Sequence, residues 1–138
     1  MQDMRDPADR PVPEPTLVLI VDDEAPIVDA LEFLVEELGY TSLSAQNGRD
    51  ALEHIRHRWP TLVLTDFMMP FVSGVQLITE IRTRAAAWGL AQPIFIIMTA
   101  ARSTSVVEIN ADVIVLKSFE ISDIEEILRR FLDIVPTE

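Results

Sequence analysis

With 138 residues, 49% of them hydrophobic and 25% charged, the chain has the size and apolar content of one globular domain, not of a disordered segment, and no run approaches the ~18 apolar residues of a membrane span. The absence of cysteine excludes a disulfide scaffold and thiolate metal sites, and the first residues lack the basic start and apolar stretch of a secretory leader, so a soluble, cytoplasmic protein is expected. A formal net charge of −12 opposes attraction to nucleic acid or to anionic lipid, so neither nucleic acid nor membrane is an expected partner.

Residues 1–15, MQDMRDPADRPVPEP, hold four of the nine prolines and almost no large apolar side chain, which predicts a flexible N-terminal tail ahead of a domain over residues 16–135. From Thr16 onward, short β-branched runs alternate with segments of helical apolar spacing. Leu17–Val21 reads as a strand and is followed by a helix over Ala25–Leu38, whose Ile27, Leu31, Leu34, Val35 and Leu38 share a face and whose stop is Gly39. A weak strand near Thr41–Ser44 precedes a helix over Asn47–Arg58. Leu62–Thr65 is the third strand and Val75–Ala86 the third helix; Ile94–Met98 and Val113–Leu116 are the remaining strands, and Ile121–Phe131 is the last helix. Between Ala101 and Ala111 there is room only for a short or irregular fourth helix. Strict alternation of this kind implies an α/β fold with a doubly wound five-stranded parallel sheet, where ligands bind beyond the carboxyl ends of the strands.

Those ends carry Asp22-Asp23-Glu24, Asp66, Thr99 and Lys117. A lone acid there commonly caps the next helix. Several carboxylates converging on one crevice, however, repel one another unless a cation joins them. Oxygen donors without Cys or His favour a hard cation, Mg²⁺ over Ca²⁺ in a shallow site with room for water. Lys117 and Thr99 suit an anion instead, because ammonium and hydroxyl groups both donate to phosphoryl oxygens.

In that order LVLIVDDE (residues 17–24), LTDFMMPFVSG (64–74), FIIMTAA (95–101) and VLKSF (115–119) resemble the receiver domain of two-component response regulators. The resemblance spans Thr16 to Asp133 and implies a flavodoxin-like strand order, 2-1-3-4-5 over the five strands. It implies that Asp66 is a phosphoacceptor, taking a phosphoryl group from a sensor histidine kinase or histidine phosphotransfer protein. Mg²⁺ would be held by Asp22, Asp23, Asp66 and the Met68 carbonyl, while Lys117 and Thr99 engage the phosphoryl group. Such a protein is a signalling phosphoacceptor, not an enzyme acting on other substrates; its only catalysis is its own phosphorylation and autodephosphorylation. Pro70 and Gly74 are expected to shape the loop after Asp66, Gly74 by adopting dihedrals other residues resist; Met69 is expected in the core, His54 and His57 on the surface, and Trp59 and Trp88 at helix ends.

Three features depart from the resembled pattern. Ser118 follows the lysine where the family commonly has a cis proline, Ile114 stands in place of an aromatic residue, and the stretch between Thr99 and Lys117 is short. All lie on the face that serves the family for output and dimerisation, so the resemblance implies an intact phosphoacceptor site with an altered readout, with an unidentified downstream protein or a homodimer as the candidate contacts. With no DNA-binding or catalytic domain after Phe131-Leu132-Asp133 in this sequence, a single-domain regulator or phosphate shuttle is expected, the alternative being a fragment of a longer chain. Phosphorylation is expected to act mainly by ordering or shifting residues 101–110. Two alternatives stand beside this reading. A haloacid-dehalogenase-like phosphatase would need an acid at position 68, where Met68 stands. An interaction module that no longer takes phosphate would not require the acids, Thr99 and Lys117, all of which are present.

Overall fold

The computed structural model describes residues 10–100 and 111–132. Among these residues seven strands and four helices follow one another as β1 (Val12–Pro13), β2 (Leu17–Val21), α1 (Ala25–Glu37), β3 (Thr41–Ala45), α2 (Gly48–Ile55), β4 (Arg58–Trp59), β5 (Leu62–Asp66), α3 (Gly74–Trp88), β6 (Ile94–Thr99), β7 (Val113–Leu116) and α4 (Ile121–Leu132). Five strands form one parallel sheet in the order β3-β2-β5-β6-β7, the flavodoxin-like order expected from the sequence. No described helix is long and apolar enough to cross a membrane.

The continuous apolar strands follow from burial of both sheet faces. Because successive side chains on a strand point to opposite faces, Leu19, Val21, Val63, Phe95 and Ile97 join Ala51, Ile55, Leu77 and Ile81 of α2 and α3 in one core. Val18, Ile20, Leu62, Leu64, Ile96 and Met98 join Leu31, Val35, Ile124 and Leu128 of α1 and α4 in the other. Continuing that alternation past the strand ends puts Asp22, Asp66 and Lys117 in the same phase as the α1/α4 face. A buried aliphatic side chain contributes about 1.5–3 kcal/mol, so both cores hold the strand ends in register.

The helices begin and end where local chemistry allows. Asn47 caps α2 through Asp50 N–H, and Ser73 and Gln76 form a reciprocal capping box at α3. α3 runs past the expected Ala86 to Trp88, since alanines favour helix, and stops at Gly89 with φ of +69°. α2 is shorter than Asn47–Arg58 because Arg58 and Trp59 leave it to pair with β1.

That pairing revises the reading of residues 10–15 as tail. Val12 and Pro13 lie parallel to Arg58 and Trp59, Glu14 N–H donates to Trp59 O at 2.9 Å, and Arg58 grips the Glu14 carboxylate through two bonds of 2.9 Å. The contact holds the Glu14 carboxyl below its usual range. Arg10 donates to Trp88 O at the end of α3. Proline-rich composition suggested disorder, but proline also favours the extended backbone of an edge strand. Residues 1–9, the 133–135 end of the expected domain and the expected helix over 101–110 lie outside the described residues.

Gly74 has a different reason than the one its sequence suggested. Its φ is not positive; a Cβ there would meet the Asp66 carbonyl oxygen at 2.4 Å. The first turn of α3 thus lies directly on the backbone that carries Asp66, and Gly74 N–H donates to Phe67 O at 2.9 Å. The residue that does take positive φ in this loop is Phe71, at +72°, spanned by a bond from Val72 N–H to Pro70 O. That is the rarer and more strained form of γ-turn. Replacing Gly74 by alanine should destabilise the fold by about 1–3 kcal/mol, as forced overpacking does, and weaken cation binding at Asp66 as well. Denaturant midpoints and a Mg²⁺ titration of the variant check both effects; unchanged values in both would show that the loop relaxes freely.

Candidate phosphoacceptor and cation site

At the carboxyl edge of the sheet the strands deliver four polar groups into one crevice. Asp22 directly follows β2, is fully buried and accepts Glu24 N–H on Oδ1 at 2.9 Å, whereas Asp23 and Glu24 are exposed. β5 ends in Asp66, 7% exposed, whose carboxylate takes the Met68 N–H. β6 ends in buried Thr99, and Thr99 O accepts Lys117 N–H at 2.7 Å, so the lysine leaves β7 across the end of β6. Its Nζ then lies 2.9 Å from Asp22 Oδ2, 2.9 Å from Glu24 Oε2 and 3.3 Å from Asp66 Oδ2.

Burial pushes the carboxyls of Asp22 and Asp66 above the usual carboxylate range, and the charge of Asp22 raises Asp66 further. Lys117 opposes both shifts, as do the N–H groups of Glu24 and Met68. Burial alone would lower the pKa of Lys117, yet its three acidic neighbours outweigh that effect and keep the ammonium charged.

Asp22, Asp23, Glu24 and Asp66 can each bring an oxygen within 4.8 Å of the others. One ammonium faces four carboxylates, and like charges about 4 Å apart repel by about 4 kcal/mol at an effective dielectric near 20. Asp22 Oδ2 sits close to Lys117 but lacks hydrogen-bond alignment, leaving a buried oxygen with unmet acceptor capacity. An all-oxygen, strongly acidic and partly open donor set fits Mg²⁺.

Asp22, Asp23, Asp66, Thr99 and Lys117 therefore occupy one edge of the sheet. Met68 enters through its backbone; its side chain is 70% exposed, while Met69 packs against the α2/α3 core. His54 bonds to Ser44 O, His57 lies exposed beside Glu53, and Trp59 and Trp88 pack edge to face at 5.8 Å. The Lys117–Ser118 peptide is trans, and Ile114 is exposed on β7. What the sequence reading lacked was a role for Glu24 as a partner of Lys117. A signal for it was present: Lys117 is the only lysine in the chain, so acids near it compete for one ammonium.

The raised carboxyls fix the sign of a pH effect. Between the usual value of 3.8 and their raised values, the native state binds more protons than the unfolded one, so ionised Asp22 and Asp66 weaken the metal-free fold as pH rises. Mg²⁺ held by these oxygens would compete with protons for them. The gain in melting temperature from Mg²⁺ should therefore be full at neutral pH and shrink as pH falls toward the ordinary carboxylate range; a gain that does not vary with pH would place the cation elsewhere.

The chain matches the response regulator receiver domain family over residues 18–129. Similar solved structures include the signal receiver domain of a signal transduction histidine kinase from Syntrophus aciditrophicus, at 23% identity and TM-score 0.74, covering 86% of this chain and 90% of that one. The receiver domain of a Francisella response regulator shows 24% identity and TM-score 0.73, covering 86% and 97%. The receiver domain of a sensor histidine kinase from Pseudomonas aeruginosa, which has a magnesium ion coordinated in its active site cleft, shows 20% identity and TM-score 0.72, covering 86% and 98%. With a match over most of its length and the crossing order of that fold, the chain belongs to the response regulator receiver domain family.

Proposed function

We propose that this receiver domain is a phosphoacceptor that takes a phosphoryl group onto Asp66 from a sensor histidine kinase or a histidine phosphotransfer protein, and signals through a protein–protein contact. The observation that carries the reading is the convergence of a buried Asp66, an acidic cluster and Lys117 at one point of the sheet edge. In the transfer an Asp66 oxygen bonds to phosphorus as the phosphorus–nitrogen bond of the donor phosphohistidine breaks and the imidazole leaves. A carboxylate is a weak nucleophile, so rate comes from alignment and charge neutralisation.

The chain's own residues supply the alignment. Met68 N–H orients the Asp66 carboxylate, Lys117 offers its ammonium to the incoming phosphoryl oxygens, and Thr99 stands at the next strand end as the hydroxyl donor. Asp22, Asp23 and Asp66, with the Met68 carbonyl, are the proposed holders of Mg²⁺. When bound, the cation would neutralise the oxygens of the transferring group. The same chemistry makes the domain its own phosphatase, and no other substrate is proposed.

Incubation with acetyl phosphate and Mg²⁺ should add one phosphoryl group per chain, detectable as a mass gain of about 80 Da. Asp66→Asn should abolish it, because the amide cannot form the acyl phosphate. Undiminished labelling of that variant would move the acceptor to another residue.

A further inference from the structure

Lys117 is the only lysine in the sequence, and the crevice gives it more partners than phosphoryl transfer requires. Those partners differ in how easily they can be exchanged. Asp22 is wholly buried, with no exposure to water. Asp66 is also buried and sits farther from Nζ, at 3.3 Å. Glu24 makes an aligned hydrogen bond of 2.9 Å, yet its side chain is 57% exposed. It is also the N-cap of α1, but its side chain makes no capping bond; the carboxylate turns to the lysine instead.

We infer that Glu24 is a positioning residue, an exchangeable counter-ion that holds the Lys117 ammonium beside Asp66 until a phosphoryl group displaces it. The inference rests on the phosphoacceptor reading. A phosphoryl group on Asp66 brings oxygens that compete for the three N–H donors of Lys117. Of the carboxylates in contact, Glu24 is the one whose charge water can take over at once, so it is the one that gives way. Before transfer it keeps the long lysine side chain ordered over the site. After transfer it is a competitor that has been removed, and its release is part of the cost of holding the phosphoryl group.

Because an exposed ion pair contributes about 0.2–1 kcal/mol, Glu24→Gln should tighten beryllofluoride binding by up to about fivefold at saturating Mg²⁺. The single lysine permits a direct readout. In protein labelled with ¹⁵N-lysine, one Nζ signal reports Lys117, and it should differ between wild type and Glu24→Gln without ligand but coincide once Mg²⁺ and beryllofluoride are bound. Coincidence in the loaded state separates release of Glu24 from a general change in field, which would shift the signal in both states. A difference that persists in the loaded state, or a Glu24→Gln signal identical to wild type without ligand, overturns the inference while leaving the phosphoacceptor reading intact. A wild-type protein whose Nζ signal ignores beryllofluoride overturns both.

Discussion

One ammonium shared among buried and exposed carboxylates is the interaction on which this site depends. Lys117 touches Asp22, Glu24 and Asp66 at once, and without it Asp22 and Asp66 would be two buried acids with no cation beside them among the described residues. Breaking a buried pair by removing one partner is far more costly than the net worth of the pair, so the contacts of Lys117 bear on the stability of the metal-free site. Yet it neutralises only part of the cluster. The charge left over is what a divalent cation would neutralise, and burial of Asp22 and Asp66 leaves their share of it poorly solvated.

The fold serves this arrangement mainly by phase and by contact. Alternation along parallel strands sends Asp22, Asp66 and Lys117 toward the same face, and the bond from Lys117 N–H to Thr99 O carries the lysine over the end of the intervening strand. From the other side, α3 presses its first residue onto the Asp66 carbonyl, and the positive φ of Phe71 bends the loop to reach it. Arg49 of α2 stacks over the Phe71 ring at 4.2 Å, while Val72 crowds Gly48 at the start of the same helix. The loop bearing Met68 is thus held from α2 as well as α3, and the strain at Phe71 is carried by packing.

Much of this could be read in the sequence, because the signals were local. Continuous apolar strands, Gly39 after α1 and polar residues closing four of the five strands are patterns of neighbouring residues; they correctly placed the main sheet, and the acids, Thr99 and Lys117 they singled out lie along one edge of it. Residues 10–15 could not be read in the same way. Their order depends on Glu14 meeting Arg58 and Arg10 meeting Trp88 O, contacts between segments 44 and 78 positions apart that no window of the sequence contains. Gly74 was singled out for the wrong reason on the same ground, since close approach to Asp66 is visible only in space. Glu24 lay in plain view beside the acidic pair, but its bond to Lys117 crosses the whole domain, 93 positions along the chain.

The acidity of the chain also has a local side: four of its acids, Asp22, Asp23, Glu24 and Asp66, meet at one point, where their mutual repulsion would oppose the metal-free fold and a cation would relieve it. Asp23 is the residue that isolates this claim, being exposed, in the cluster, and outside the contacts of Lys117. Thermal unfolding of Asp23→Asn with and without Mg²⁺ is the most direct test. If surplus charge governs the site, the metal-free variant melts no lower than wild type and loses most of the Mg²⁺-dependent gain. A variant that is less stable without metal and still gains as much as wild type from Mg²⁺ would contradict it.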